Sequence, residues 1–336
     1  MAIPEGRVIR GSRSGRSFAP LRALSPVHDQ DPECYATAVV LRSHGRSIAW
    51  LFPAAFAVAW AAVAGAADLP PLDSTTSLLV VAPHPDDETL CCAGVIQRVV
   101  RAGGRASIVW ITSGDASFLD LLLIERSLTA GAPRQRALAE RRMREARAAA
   151  SVLGVPADRQ LFLGYPDRGV LELLSAHHDT VYTSRATESA AVPYPDALFP
   201  GHAYTGAGLE RDFTAVLERI RPTLVLAPSP RDSHPDHRGA ALLTLRIMAS
   251  RGELSAVRCW IVHGGEGWPS PRELSPGLPL SRAPLLEGVP LASFELTPAE
   301  EDLKLAAVRA YPTQLTTLAP FLLAFVRTSE SFSAAP

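Results

Sequence analysis

Lysine is almost missing from this chain: of its 33 basic residues, only Lys304 is not an arginine. The bias reads as the coding habit of a GC-rich genome, not as function. Excess charge is missing too. A formal net charge of −1 over 336 residues gives no electrostatic argument for a nucleic-acid partner. Cysteine is sparse, at four residues, with no C-x-x-C pair and no framework of bridges. Cys91, Cys92 and Cys259 fall in apolar stretches and read as buried free thiols. Internal repeats are absent. What is present is enough apolar material, 47% of the residues, for a sizeable core.

One long apolar run stands out, over 48–67. Arg42 and Arg46 precede it, and Ala62-Val63-Ala64-Gly65-Ala66-Ala67 closes it. Basic flank, apolar core and small-residue end describe a secretory signal, with cleavage after Ala64, Ala66 or Ala67. A run of about 20 residues is also long enough to stay as a membrane anchor. The expectation is an exported protein, periplasmic or extracellular, or a membrane-anchored one; it is cytoplasmic if the run is not a signal. Membrane contact would come only through 48–67. Residues 1–47 lack periodicity, are rich in Arg, Ser and Pro, and read as a disordered extension. They are too long for the front of a signal, so the true start is expected near residue 40. A linker follows over 68–76, then one domain over 77–332.

That domain alternates in pattern. Apolar, β-branched runs predict strands over 77–82, 106–112, 160–163, 223–227 and 256–262, with Phe294 opening one more. Helical spacing predicts helices over 88–102, 134–153, 209–220, 238–250 and 298–310. Strand–helix alternation argues for an α/β fold: a Rossmann-like three-layer sandwich with a mostly parallel sheet. Three stretches carry few regular signals, 117–133, 167–208 and 264–290. Loops of that length tend to serve binding, so they are expected to wall a substrate pocket.

Two strand ends carry chemistry. The first strand stops at Pro83 and runs into His84-Pro85-Asp86-Asp87-Glu88, one imidazole and three carboxylates in five residues. The strand over 223–227 stops at Pro228 and leads to Asp232-Ser233-His234-Pro235-Asp236-His237. In open parallel sheets, ligands bind outside such strand ends. Crowded carboxylates repel unless a cation or water offsets them. A catalytic zinc takes three His or Asp/Glu ligands and keeps one position open. His84, Asp87 and His237 supply that set, because His84 and Asp87, three apart, can turn to one side. Asp86 between them faces the open position as general base. His234, one turn before His237, is placed to polarise an oxyanion or to protonate a leaving amine. Asp236 is a candidate for orienting an imidazole. Glu88 either supports the site or simply favours the helix dipole. His177, His178, His202 and His263 have no such context and read as surface or loop histidines.

The two histidine segments together resemble the LmbE/PIG-L family of zinc-dependent de-N-acetylases, over most of 77–332. Thr112-Ser113-Gly114-Asp115, Arg142 with Glu145, Leu163-Gly164-Tyr165-Pro166-Asp167 and the stretch from Lys304 to Gln314 support the likeness. Pro83 and Arg168 depart from the family's usual residues. The resemblance implies the same ligands, base and assisting histidine, with Zn2+ or another divalent ion as cofactor. It further implies that Arg142 and Asp167 contact a sugar. The expected substrate is a small molecule or glycoconjugate carrying an N-acetyl group, of the N-acetylglucosamine type. Two other readings compete: a metal phosphoesterase, which would need more ligands for a second ion, and a sugar-binding protein without catalysis.

Overall fold

A computed structural model describes residues 68–116 and 131–336. The expected extension, the apolar run over 48–67 and most of the stretch 117–133 lie outside the described residues. Among the described residues, no helix is long and apolar enough to cross a membrane.

β1 (Ser77–Ala82) is buried at every position, as a central strand covered on both faces must be. Parallel to it run β2 (Arg105–Thr112), β3 (Gln160–Tyr165), β4 (Leu224–Pro228) and β5 (Val257–Trp260). β6 (Ala292–Glu295) and β7 (Ser329–Ala334) complete a seven-stranded sheet in the order β3-β2-β1-β4-β5-β7-β6. β7 is antiparallel to both β5 and β6, so the sheet is mixed at one side. β7 itself escaped the sequence reading because Ser329-Glu330-Ser331 looks polar, yet Glu330 is buried.

The helices are α1 (Asp87–Arg101), α2 (Ala132–Val152), the short α3 (Val170–Leu173), α4 (Gly206–Ile220), α5 (Pro235–Ser250), α6 (Pro298–Val308) and α7 (Pro312–Leu323). They fall into two packed groups, α1 with α2 and α6, and α3 with α4 and α5, as a sheet covered on both faces requires. α7 was not expected: Pro320 lies inside it and Leu318 departs from helical geometry, which breaks the periodic signal. α6 starts at a capping box between Thr297 and Glu300.

Strand order reverses between β1 and β4, which are direct neighbours, with Leu78 opposite Leu224 and Val80 opposite Leu226. Both histidine segments leave the sheet at this point, where α/β sheets open a crevice. The lone lysine is spent in the core. Lys304 Nζ donates to Glu330 at 2.9 Å and to the Leu90 carbonyl at 2.8 Å. Glu330 in turn accepts from the Gly94 amide at 2.9 Å. The free-thiol reading holds for Cys259 only; Cys91 and Cys92, adjacent on α1, form a disulfide.

Candidate active site

His84, at 8% exposure, follows β1, and Asp87 opens α1, while His237 sits fully buried in the first turn of α5. Three of their atoms form a near-equilateral triangle. His84 Nδ1 lies 3.3 Å from His237 Nε2 and 3.4 Å from Asp87 Oδ2, and the last two are 3.2 Å apart. Ligands on a tetrahedral ion with bonds of 2.0–2.1 Å stand about 3.3–3.4 Å apart.

The far side of each ring says which nitrogen faces the triangle. His237 Nδ1 meets the buried Asp232 Oδ2 at 3.1 Å. His84 Nε2 meets Asp236 Oδ2 at 3.2 Å and Asp167 Oδ1 at 3.3 Å. A carboxylate only accepts, so each of these nitrogens carries the proton. In the neutral rings the lone pairs of His84 Nδ1 and His237 Nε2 therefore converge with a carboxylate oxygen. Lone pairs 3.3 Å apart repel unless a cation sits among them. The donor set thus fits a divalent ion of the zinc kind. Two other donor groups, His84 with His234 and His237 and His84 with Asp167 and Asp236, also share His84, so no independent second triad stands among the described residues.

Without an ion, the triangle is held by protons. Burial works to lower the His237 ring, but Asp87 and Asp232 outweigh it and raise it to about 9. Burial likewise lowers His84, and the charge of Asp167 with its hydrogen bonds to Asp167, Asp236 and Asp87 lifts it well above the usual imidazole value.

Asp86, the N-cap of α1, has a φ of 126°, unusual for any residue but glycine. Its amide donates to Glu88 Oε2 at 3.3 Å. Its Oδ2 is held by Gln314 Nε2 at 3.4 Å and lies 3.7 Å from Arg142 Nη2. Burial, and the Asp87 charge beside it, raise its carboxyl to about 8. Glu88 is not a solvated dipole partner. It is fully buried, takes hydrogen bonds from Thr89, Trp110 and Tyr311, and so fixes the turn that presents Asp86.

His234 caps α5, its Nδ1 accepting from the Asp236 amide at 3.2 Å. That leaves the proton of the neutral ring on Nε2, a donor. Burial and the charges of His84, His237 and His263 hold its titration down to about 2. Asp236 serves both neighbours: besides His84, it accepts from the amides of Arg168 at 2.6 Å and Val170 at 3.0 Å.

The two residues expected on the sugar both line the cleft, with their polar atoms largely engaged. Arg142 donates to Gly114 O at 3.0 Å and Pro85 O at 3.2 Å, and its buried Nε has no partner. Gly114, at φ +69°, must be glycine, because a Cβ there would meet the guanidinium at 2.4 Å. Asp167 Oδ2 accepts from the Ala116 amide at 3.1 Å, and His84 keeps its carboxyl below the usual range against burial. Of the loops expected to wall the pocket, 167–208 contributes Asp167 and Arg168, and 264–290 lines it nowhere. The opposite wall is α7, through Leu318, Phe321 and Leu322.

Sequence reasoning gave no role in the site to three polar groups here. Asp232 grips His237, donates nothing, and also accepts from the His234 amide at 2.8 Å and the His263 amide at 3.0 Å. Its signal was its place two residues before His234. Gln314 lies too far along the chain for any local pattern to tie it to Asp86. His263, read as a loop histidine, lines the cleft with its ring 4.7 Å from that of His237. It ends the apolar stretch of β5, the same strand-end position as the other motifs.

Residues 79–248 match the sequence model of the PIG-L family, described as GlcNAc-PI de-N-acetylase. The 1D-myo-inositol 2-acetamido-2-deoxy-alpha-D-glucopyranoside deacetylase of Kribbella flavida is 30% identical over 200 residues, 58% of this chain and 59% of that relative. The match thus spans less than two thirds of its length. The deacetylase of the same name from Actinosynnema mirum is 28% identical over 255 residues, 73% of this chain and 83% of the relative. Among solved structures, the A40926 pseudoaglycone deacetylase shares the fold with a TM-score of 0.51 at 21% identity, over 77% of this chain and 96% of that one. The family match covers half of the 336 residues and contains both histidine segments, so this chain belongs to the PIG-L family of de-N-acetylases.

Proposed function

We propose that this chain is a metal-dependent amidohydrolase, with zinc as its ion, that removes the acetyl group from an N-acetylglucosamine-type sugar or glycoconjugate. The observation that carries the reading is the triangle of His84 Nδ1, Asp87 Oδ2 and His237 Nε2, with edges of 3.2–3.4 Å. The names of the relatives support the sugar.

A divalent ion held by those three atoms would acidify water and polarise the amide carbonyl. Asp86 takes the proton of the attacking water. Burial and the Asp87 charge hold that carboxyl up in the ion-free site, and a bound divalent ion would lower it toward the carboxylate that accepts the proton. Gln314 and Arg142 engage Oδ2, which leaves Oδ1 as the accepting oxygen. His234 Nε2–H donates to the carbonyl oxygen as negative charge grows there. Asp86 then passes that proton to the departing amine, while His234 stays neutral and gives only a hydrogen bond. Arg142 and Asp167 line this wall, and Asp167 is the group there that a sugar hydroxyl would meet.

The test is acetate release from N-acetylglucosaminides by the full chain, with and without a chelator. Chelation abolishes release and zinc restores it, and Asp86→Asn loses about a hundredfold or more. Activity that survives both changes overturns the mechanism.

A further inference from the structure

The His263 ring takes no part in the chemistry above, yet the structure fixes it with care. Its amide donates to Asp232 Oδ2 at 3.0 Å, and its carbonyl accepts from the Ser233 amide at 3.2 Å and the Ser233 hydroxyl at 3.0 Å. The ring sits edge-on to His237 at 4.7 Å and lies 5.1 Å from the His234 ring. On another side it is parallel to Phe321, at 5.7 Å and 16°. Phe321 is itself held by the Arg272 guanidinium, 4.8 Å from its centroid. Neither nitrogen of the His263 ring has a hydrogen-bond partner among the described residues, and the ring lines the cleft. A neutral imidazole offers one donor and one acceptor, and at this ring, in the lining of the cleft, both are free of partners among the described residues.

We propose that His263 binds the substrate directly, exchanging a hydrogen bond with a hydroxyl of the sugar that carries the scissile amide, while Phe321 beside it takes an apolar face of that sugar. The assignment rests on the deacetylase reading. Its rival is a purely mechanical role, in which the ring props His237 through their edge contact.

His263→Phe separates the two, since it keeps an aromatic ring against His237 and removes both nitrogens. In the zinc-loaded full chain, KM for an N-acetylglucosaminide rises about fivefold to tenfold, the worth of one neutral hydrogen bond. Zinc affinity, kcat and the melting temperature stay near wild type, and His263→Gln regains part of the KM. An unchanged KM, or a loss of zinc affinity in step with activity, overturns the proposal. A second measurement needs no folded variant other than His263→Gln to assign the signal: the His263 ring resonances of the wild-type chain shift when N-acetylglucosamine is added. Resonances that stay still overturn it as well. Absent acetate release from the wild type strikes the deacetylase reading instead, and the ring shift reads His263 separately from it.

Discussion

Asp232 Oδ2 holds His237 Nδ1 at 3.1 Å, and the same carboxylate accepts the amides of Val262, His263 and His234. One buried side chain therefore sets the orientation of the His237 ring and the backbone of two more histidines. Partners of this kind fix the tautomer and raise the basicity of the ring they hold. Asp232→Asn is expected to weaken zinc binding about tenfold to a hundredfold while the fold persists. Competition with a chromophoric chelator measures it; wild-type affinity would mean that His237 needs no such anchor.

Under the proposed ligand set, metal uptake would release protons. Without an ion, His237 titrates at about 9 and His84 well above the usual imidazole value, so both are charged at pH 7. Both must shed a proton to offer a lone pair. Zinc binding at pH 7 is expected to release about two protons or more, and fewer as pH rises through the folded values. Calorimetry in buffers of different ionisation enthalpy counts them. Release below one proton at pH 7 contradicts the assigned donors.

Asp115 gives a pH dependence away from the ion. It is fully buried, Tyr194 donates to it at 2.7 Å, and burial with the Asp167 charge raises its carboxyl from 3.8 to about 7. Between those values the folded chain holds a proton that the unfolded chain has lost. Its contribution therefore favours folding at the acid end of the window and is lost as pH rises toward 7. The slope is about 1.4 kcal/mol per pH unit at its steepest. Denaturant titrations from pH 4.5 to 7 should show wild type losing stability relative to Asp115→Asn by a margin that grows with pH. Parallel curves for the two proteins would refute it.

Lys304 and Glu330, each 1% exposed, form the buried ion pair of the core. Removing one partner of such a pair strands the other and costs about 3–5 kcal/mol. Lys304→Met alone is expected to destabilise by that amount. Adding Glu330→Leu relieves most of the loss, because Leu90 O and Gly94 N, which the pair engages, are i and i+4 on α1 and can bond each other. Equilibrium unfolding of the three variants decides it; a double variant as unstable as the single one contradicts the account.

Much of this was legible in the residues. Apolar runs ended by proline marked β1 and β4, and the polar residues after each strand marked the site. The switch in strand order was not readable, since local pattern says nothing of which strands pair. β7 hid because Glu330 serves Lys304 inside the core, so a buried strand looked polar. α7 hid behind Pro320 and the break at Leu318. With it went the apolar wall of the cleft and the role of Gln314, which the resemblance marked only by position and whose link to Asp86 spans 228 positions. His263 was discounted because a lone histidine carries no pattern, although its place at a strand end was a usable signal.

The central claim is that His84, Asp87 and His237 grip one ion together. X-ray absorption on the zinc-loaded chain, with metal content measured beside it, tests that most directly. The account predicts one zinc per chain in a shell of two imidazole nitrogens and oxygen, at about 2.0–2.1 Å, with one imidazole lost in His237→Ala. A shell without imidazole, or full zinc occupancy with an unchanged shell in both His84→Ala and His237→Ala, would contradict it.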